Sequence, residues 1–353
     1  MAKKHLIVCC DGTWNTPDQQ EEGQICPTNV VKMASALAPF AQDGNPQVVF
    51  YHDGVGSSAG FDLSHWIGGA FGAGLSKLIL DAYRFLVANY TEGDALYFFG
   101  FSRGAYAVRS LAGLIRNCGV LKKLYADKIP DAYGLYRRED GPADPEGPEA
   151  HTFREQFSRD VTIQCIGVWD TVGALGIPAH VLRHLTEQRW QFHDVKLSRI
   201  VQHAYQALAI DEKREDFQPT LWEQQPQASA QVLEQVWFAG VHCNVGGGYA
   251  DSGLADLTFL WMKAKAEACG LAFDPQYLTT KIQPEATGVL QESKTGLFHL
   301  RRDYLRPLGQ GAHTNEYVHQ SVIDRMQSPL QPPYRPTNLA SFLGRSVNRV
   351  IAS

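Results

Sequence analysis

The sequence contains no long hydrophobic run. Nothing in it approaches the roughly 18 to 20 consecutive apolar residues that a membrane-spanning helix needs, so a transmembrane segment is not expected. It also lacks an excess of positive charge. Lysine and arginine number 32 against 37 aspartates and glutamates, a net charge of −5, and nothing in that balance suggests a nucleic-acid partner. Cysteine is sparse and odd in number: seven in 353 residues, with no C-x-x-C spacing. That pattern argues for free thiols in a reducing compartment rather than a disulfide framework. After Lys3-Lys4 the apolar run spans only Leu6 to Cys10, shorter than the ~7–15 residues of a signal peptide's core. Cytoplasmic synthesis is therefore the expectation, with export by a signal-less secretion machine left open. What is present is 44% hydrophobic and 20% charged residues, an ordinary globular composition with ample material for a core.

Short apolar runs punctuated by glycine alternate with segments of helical spacing. His5–Cys10 reads as a strand stopped by Asp11-Gly12-Thr13, and Val48–His52 as a second stopped by Asp53-Gly54. Leu75, Leu78, Ile79, Ala82, Leu86 and Val87 recur every three or four residues, the pattern of a helix with one buried face. Ala95–Phe99 is a third strand, followed by Gly100-Phe101-Ser102-Arg103-Gly104 and helical spacing over Ala107–Ile115. Val161–Val168 and Val236–Val241 are further strands, and Leu254–Ala268 a helix ended by Cys269-Gly270. The alternation predicts an α/β fold: a mostly parallel central sheet with helices on both faces, whose sites lie at the carboxyl ends of the strands. We expect one domain over 1–353, with insertions at 120–160 and 178–235. The second is read as a helical cap, with Leu197–Ile210 as part of its helix. Asp140–Glu149, with three prolines, reads as an exposed loop.

Residues 100–104 match G-x-S-x-G in the context that motif requires, strand before and helix after. Such a turn exposes the serine hydroxyl, and the helix that follows points unpaired N–H groups toward a developing oxyanion. A serine is a weak nucleophile until a base takes its proton, so a histidine and an orienting carboxylate must follow in the chain, each after a later strand. Asp170 directly follows the strand ending in Trp169, and His242 follows the strand ending at Val241. His313 and His319 are rival bases on spacing alone. The three glycines after His242 leave room for a substrate. The backbone N–H of Arg103, with Gly12 or Thr13 from the first strand's end, is the expected oxyanion hole, while Asp11 either braces that loop or touches substrate.

Other matches fail. Gly68–Lys77 resembles a phosphate-binding loop but has Leu75-Ser76 where Lys and Ser/Thr should stand. Its flank of Phe61, Leu63, Trp66, Ile67 and Phe71 suits either an apolar pocket wall or plain core packing. His180 and His184 are four apart without the glutamate of a zinc protease. No metal and no cofactor are expected.

Taken together, CDGTWN at 10–15, GFSRGAY at 100–106, GVWDTVGALG at 167–176, ALAIDEKREDF at 207–217, GVHCNVGGGY at 240–249 and VHQSVIDR at 318–325 resemble the α/β-hydrolase domain family DUF2235. That family includes the catalytic part of Tle1-class type VI secretion phospholipase effectors. The resemblance implies a serine hydrolase with the roles falling on Ser102, Asp170 and His242, which favours His242 over His319. It also implies a lipid or phospholipid ester as substrate, of phospholipase A type, with peripheral membrane contact left open. The readings that compete with it are a non-catalytic binding module on the same fold, and a thioesterase or peptidase.

Overall fold

The computed structural model describes residues 3–12, 15–54, 69–138, 140–173, 196–228, 230–294, 302–344 and 350–352, and of 69–73 the backbone alone. Eight strands form the central sheet: β1 (His5–Cys10), β2 (Gln47–His52), β3 (Ala95–Phe101), β4 (Ile163–Trp169), β5 (Val201–Ala209), β6 (Val232–Phe238), β7 (Glu316–His319) and β8 (Val350–Ile351). Their order across the sheet is β8-β7-β6-β5-β4-β3-β1-β2, and every pairing is parallel. This is the expected α/β architecture.

Parallel strands need crossovers, and the helices supply them on both faces. The helices used below are α1 (Asn29–Ala36), α2 (Gly69–Asn89), α3 (Arg103–Cys118), α4 (Ile129–Tyr136), α5 (Pro148–Phe157), α6 (His242–Gly246) and α7 (Gly253–Ala268). Alternate residues of each strand point to opposite sides. Leu6, Val8, Leu96 and Phe98 face one core with Leu78 and Leu86 of α2 and Leu111 of α3. Ile7, Cys9, Tyr97 and Phe99 face the other, with Met33 of α1 and Phe259 and Met262 of α7. Strands buried on both sides carry no polar alternation, which is why they read as plain apolar runs.

The same property explains a correction. The helical reading of Leu197–Ile210 is wrong: Val201–Ala209 is strand β5, lying between β4 and β6 inside the sheet. Val201, Ala204, Tyr205 and Leu208 happen to fall at helical spacing, and a doubly buried strand offers no two-residue period to contradict it. The expected insertion at 178–235 therefore contains β5 and the start of β6, while 178–195 lie outside the described residues. In 120–160, Val120–Leu121 and Ser158–Arg159 pair as a short antiparallel ribbon enclosing α4 and α5. The proline-rich 140–149 is not wholly an exposed loop. Gly141–Ala143 forms a 3-10 turn with Ala143 buried, and Pro148 begins α5. None of the seven cysteines forms a disulfide. Among the described residues, no helix is long and apolar enough to cross a membrane.

Candidate active site

Strand order reverses once. From β1 the chain goes to the edge at β2, returns to β3 on the other side of β1, and then proceeds outward to β8. Loops leaving β1 and β3 diverge at that point, at the carboxyl ends of the strands, which is where α/β sheets bind ligands. Gly12 follows β1 and Ser102 follows β3, and a Cβ built on Gly12 would lie 3.3 Å from Ser102 Cβ. In register, Phe101 is opposite Trp169, Trp169 opposite Ala207, and Ala209 opposite Phe238. Ser102, Asp170 and the turn leading to His242 therefore emerge along one rim.

Ser102 stands between β3 and α3 with φ 55° and ψ −117°, a left-handed conformation unfavourable to any side chain. The flanking glycines make that turn possible. A Cβ on Gly104 would sit 2.0 Å from Cys10 O, and one on Gly100 would sit 2.6 Å from Gly104 O. Both contacts are with backbone that cannot step aside, so the start of α3 packs against the ends of β1 and β3 only because these positions are bare. Ser102 N–H is spent on Trp169 O at 3.0 Å, and the hydroxyl does not cap its own helix.

Asp170 is fully buried and also has a positive φ, 42°. Its Oδ2 lies 2.6 Å from His242 Nδ1, and its Oδ1 accepts from Ala209 N–H at 3.0 Å. Arg306, equally buried, grips the same carboxylate with two donors, Nη1 to Oδ1 at 2.6 Å and Nη2 to Oδ2 at 2.9 Å. Burial alone would raise the carboxyl's pKa. The Arg306 guanidinium and then His242 reverse this and hold it below the usual carboxylate range. For His242 burial dominates and lowers the pKa below the ordinary histidine value, against the upward pull of Asp170. The imidazole is thus neutral at neutral pH, with the carboxylate on its Nδ1 side.

The imidazole is fixed by its neighbours. Phe101 packs at 4.6 Å between ring centroids and Phe217 meets it edge-on at 4.9 Å. Its backbone N–H donates to Glu212 Oε2 at 3.3 Å, and Arg214 clasps both Glu212 oxygens at 2.8 Å. Burial would raise the Glu212 carboxyl, but Arg214 keeps it below its ordinary range. Arg214 also lies over the Phe217 ring at 3.6 Å. The Arg103 side chain is buried close enough to Arg214 to feel its charge, and burial together with that charge brings its pKa down to about 9.

Of the three expected residues, the structure joins Asp170 to His242 by a hydrogen bond and places Ser102 on the adjacent strand end. The Ser102 hydroxyl makes no hydrogen bond to His242. The rival bases are elsewhere: His313 is exposed, and His319 stacks on Phe238 at 4.6 Å and caps the helix Gln320–Gln327. The Gly12 N–H is directed to Asp11 Oδ1 at 2.7 Å. Asp11 is a brace, held also by Thr28 Oγ1 at 2.6 Å and Tyr51 OH at 3.0 Å, and burial pushes its carboxyl up to about 6. Thr13 lies outside the described residues, as do His180, His184, residues 61–68 and the Phe71 side chain. Gly69–Lys77 belongs to α2 and makes no phosphate loop. Two of the three glycines after His242 are packed rather than open, since a Cβ on Gly246 would lie 2.0 Å from the Phe101 ring and one on Gly247 would lie 2.8 Å from Asn29 N. Among the described residues no group of three or more His, Cys, Asp or Glu could hold a metal ion.

Arg306, Glu212 and Arg214 were not singled out from the sequence. Nothing local marks Arg306 in the arginine-rich string 301–306, because its burial is set by a carboxylate 136 positions away. Glu212 and Arg214 lie within the string 207–217, which signalled family likeness without signalling roles.

The chain was compared with known proteins. A family model described as T6SS, Phospholipase effector Tle1-like, catalytic domain, matches residues 4–265. Uncharacterized protein YEL023C of Saccharomyces cerevisiae is 31% identical over 234 residues, which take in 61% of this chain and 32% of the yeast protein. The chain therefore spans about a third of that relative. Two solved structures are similar at low identity. A crystal structure of an uncharacterized protein from Pseudomonas aeruginosa has a TM-score of 0.46 and 15% identity, covering 80% of this chain and 49% of that one. The Tle1 effector bound to the VgrG spike from the type 6 secretion system has a TM-score of 0.38 and 16% identity, covering 71% and 52%.

Proposed function

The chain belongs to the Tle1-like catalytic-domain family of T6SS phospholipase effectors, and on that premise we propose that it is a serine hydrolase of lipid esters. The observation that carries the chemistry is the buried 2.6 Å contact between Asp170 and His242, set beside the strained Ser102 turn at the sheet's switch point. Ser102 Oγ attacks the ester carbonyl while His242 Nε2 takes its proton. Asp170 holds the Nδ1–H tautomer and stabilises the imidazolium. The tetrahedral oxyanion is received by the backbone N–H of Arg103 at the start of α3. Such a donor is worth about 3 kcal/mol in the transition state. His242 returns the proton to the leaving alcohol, and water then releases the acid by the same steps in reverse. The contact between Ser102 and His242 closes when substrate is bound.

The substrate we favour is the acyl ester of a phospholipid, cleaved in the manner of a phospholipase A at a membrane surface. The test is hydrolysis of phosphatidylglycerol vesicles and of p-nitrophenyl esters by wild type and Ser102→Ala. Wild type should release fatty acid and lysophospholipid, while the variant falls to background with an unchanged fold. Turnover undiminished in Ser102→Ala would remove the nucleophile from the account.

A further inference from the structure

We infer that Arg306 is a positioning residue of this site, its guanidinium holding both carboxylate oxygens of Asp170 and setting the charge against which His242 works. The inference rests on the relay proposed above. Arg306 lies beyond residue 265, where the family match ends, so the clamp comes from a part of the chain that the catalytic-domain model does not include.

Four N–H groups of this guanidinium are engaged. Besides the two on Asp170, Nη1 donates to Ala209 O at 2.9 Å and Nη2 to Phe217 O at 2.6 Å. One planar group therefore ties together the carboxylate, the end of β5 whose N–H also binds Asp170, and the residue whose ring stands edge-on to His242. A fork of this shape fixes the carboxylate plane, and through it the imidazole direction, in a way that a point charge does not.

The charge matters as much as the shape. A buried carboxylate and imidazole without a counter-ion would share an extra proton readily, because that proton makes the pair neutral. A proton on the imidazole removes the base. Arg306 neutralises Asp170 already, and Arg214 neutralises Glu212, whose Oε2 accepts the His242 backbone N–H, so the resting site is neutral with His242 unprotonated. During attack the proton leaving Ser102 makes the imidazolium, and its positive charge is balanced by the oxyanion formed in the same step. Removing the guanidinium charge should therefore make the Asp170–His242 pair take up a proton at higher pH.

The experiment is kcat/KM against pH, from about pH 5 to about pH 9, with a soluble p-nitrophenyl ester, for wild type, Arg306→Gln, Arg306→Lys and Ser102→Ala. Arg306→Gln should move the acid limb upward by about one pH unit and lower the plateau rate. Arg306→Lys keeps the charge and loses the fork, so its limb should stay within a few tenths of wild type while its plateau falls about tenfold. A merely structural arginine would lower the plateau in both variants and move neither limb. That result overturns the inference, as does a wild-type plateau in Arg306→Lys. Arg306→Met is the second uncharged variant, with the same expected limb shift should the glutamine variant not fold. An inactive Ser102→Ala beside an unmoved limb in Arg306→Gln defeats the clamp and leaves the relay standing, whereas an active Ser102→Ala defeats the relay itself.

Discussion

Replacing Asp170 by asparagine removes one charge with almost no change in volume. Four donors converge on this carboxylate: His242 Nδ1 at 2.6 Å, Arg306 at 2.6 and 2.9 Å, and Ala209 N–H at 3.0 Å. An amide offers one acceptor oxygen, and wherever its NH2 points it faces a donor. Arg306, with no exposed surface, is left as an uncompensated buried cation. Breaking a buried pair in this way costs about 3 to 5 kcal/mol. The amide also donates to Nδ1 and forces the imidazole proton onto Nε2, where it faces Ser102, so kcat should fall by about 10⁴. Urea unfolding and ester turnover on the same preparation read both effects. Adding Arg306→Met to Asp170→Asn should recover most of the stability and none of the rate, because it removes the stranded charge but not the wrong tautomer. An Asp170→Asn protein as stable as wild type, or one within tenfold of its rate, would refute this reasoning.

Gly104→Ala would put a Cβ 2.0 Å from Cys10 O and 2.5 Å from Asp11 O. It should cost on the order of 3 kcal/mol and most of the activity, with an unshifted melting temperature as the contrary result. His319 has its pKa lowered from 6.5 to about 4, chiefly by burial. The folded state therefore binds that proton less well than the unfolded chain, and the stability it contributes is lost as pH falls from about 6.5 to about 4. The loss is on the order of 3 kcal/mol, and His319→Phe should remove that slope in urea midpoints taken across pH. Asp11 has the opposite sign. Burial raises its folded pKa from 3.8 to about 6, so it takes stability away, up to about 3 kcal/mol, as pH rises through that interval. Asp11→Asn should abolish that dependence even though it weakens the loop at every pH. An unchanged pH slope in either variant would contradict the burial argument for that group.

Ser102 was legible in the sequence because its motif is a local backbone requirement: bare positions at 100 and 104, a strand behind and a helix ahead. Asp170 and His242 were legible as polar residues at the ends of apolar strands, and the structure joins them by a hydrogen bond. Strand β5 was not, since a segment buried on both faces loses the alternation that distinguishes strand from helix. The engagement of the Gly12 N–H by Asp11 and the docking of Arg306 on Asp170 were not legible either. Each depends on how a side chain turns once the backbone is in place, and in the second case on a contact between segments 136 positions apart.

The most direct measurement is covalent labelling of the folded protein with a fluorophosphonate, followed by mapping of the modified peptide by mass spectrometry. Phosphonylation should fall on Ser102 alone and should slow by orders of magnitude in His242→Ala. A protein that hydrolyses lipid esters while leaving Ser102 unlabelled, or that carries the label on another serine, would contradict the assignment.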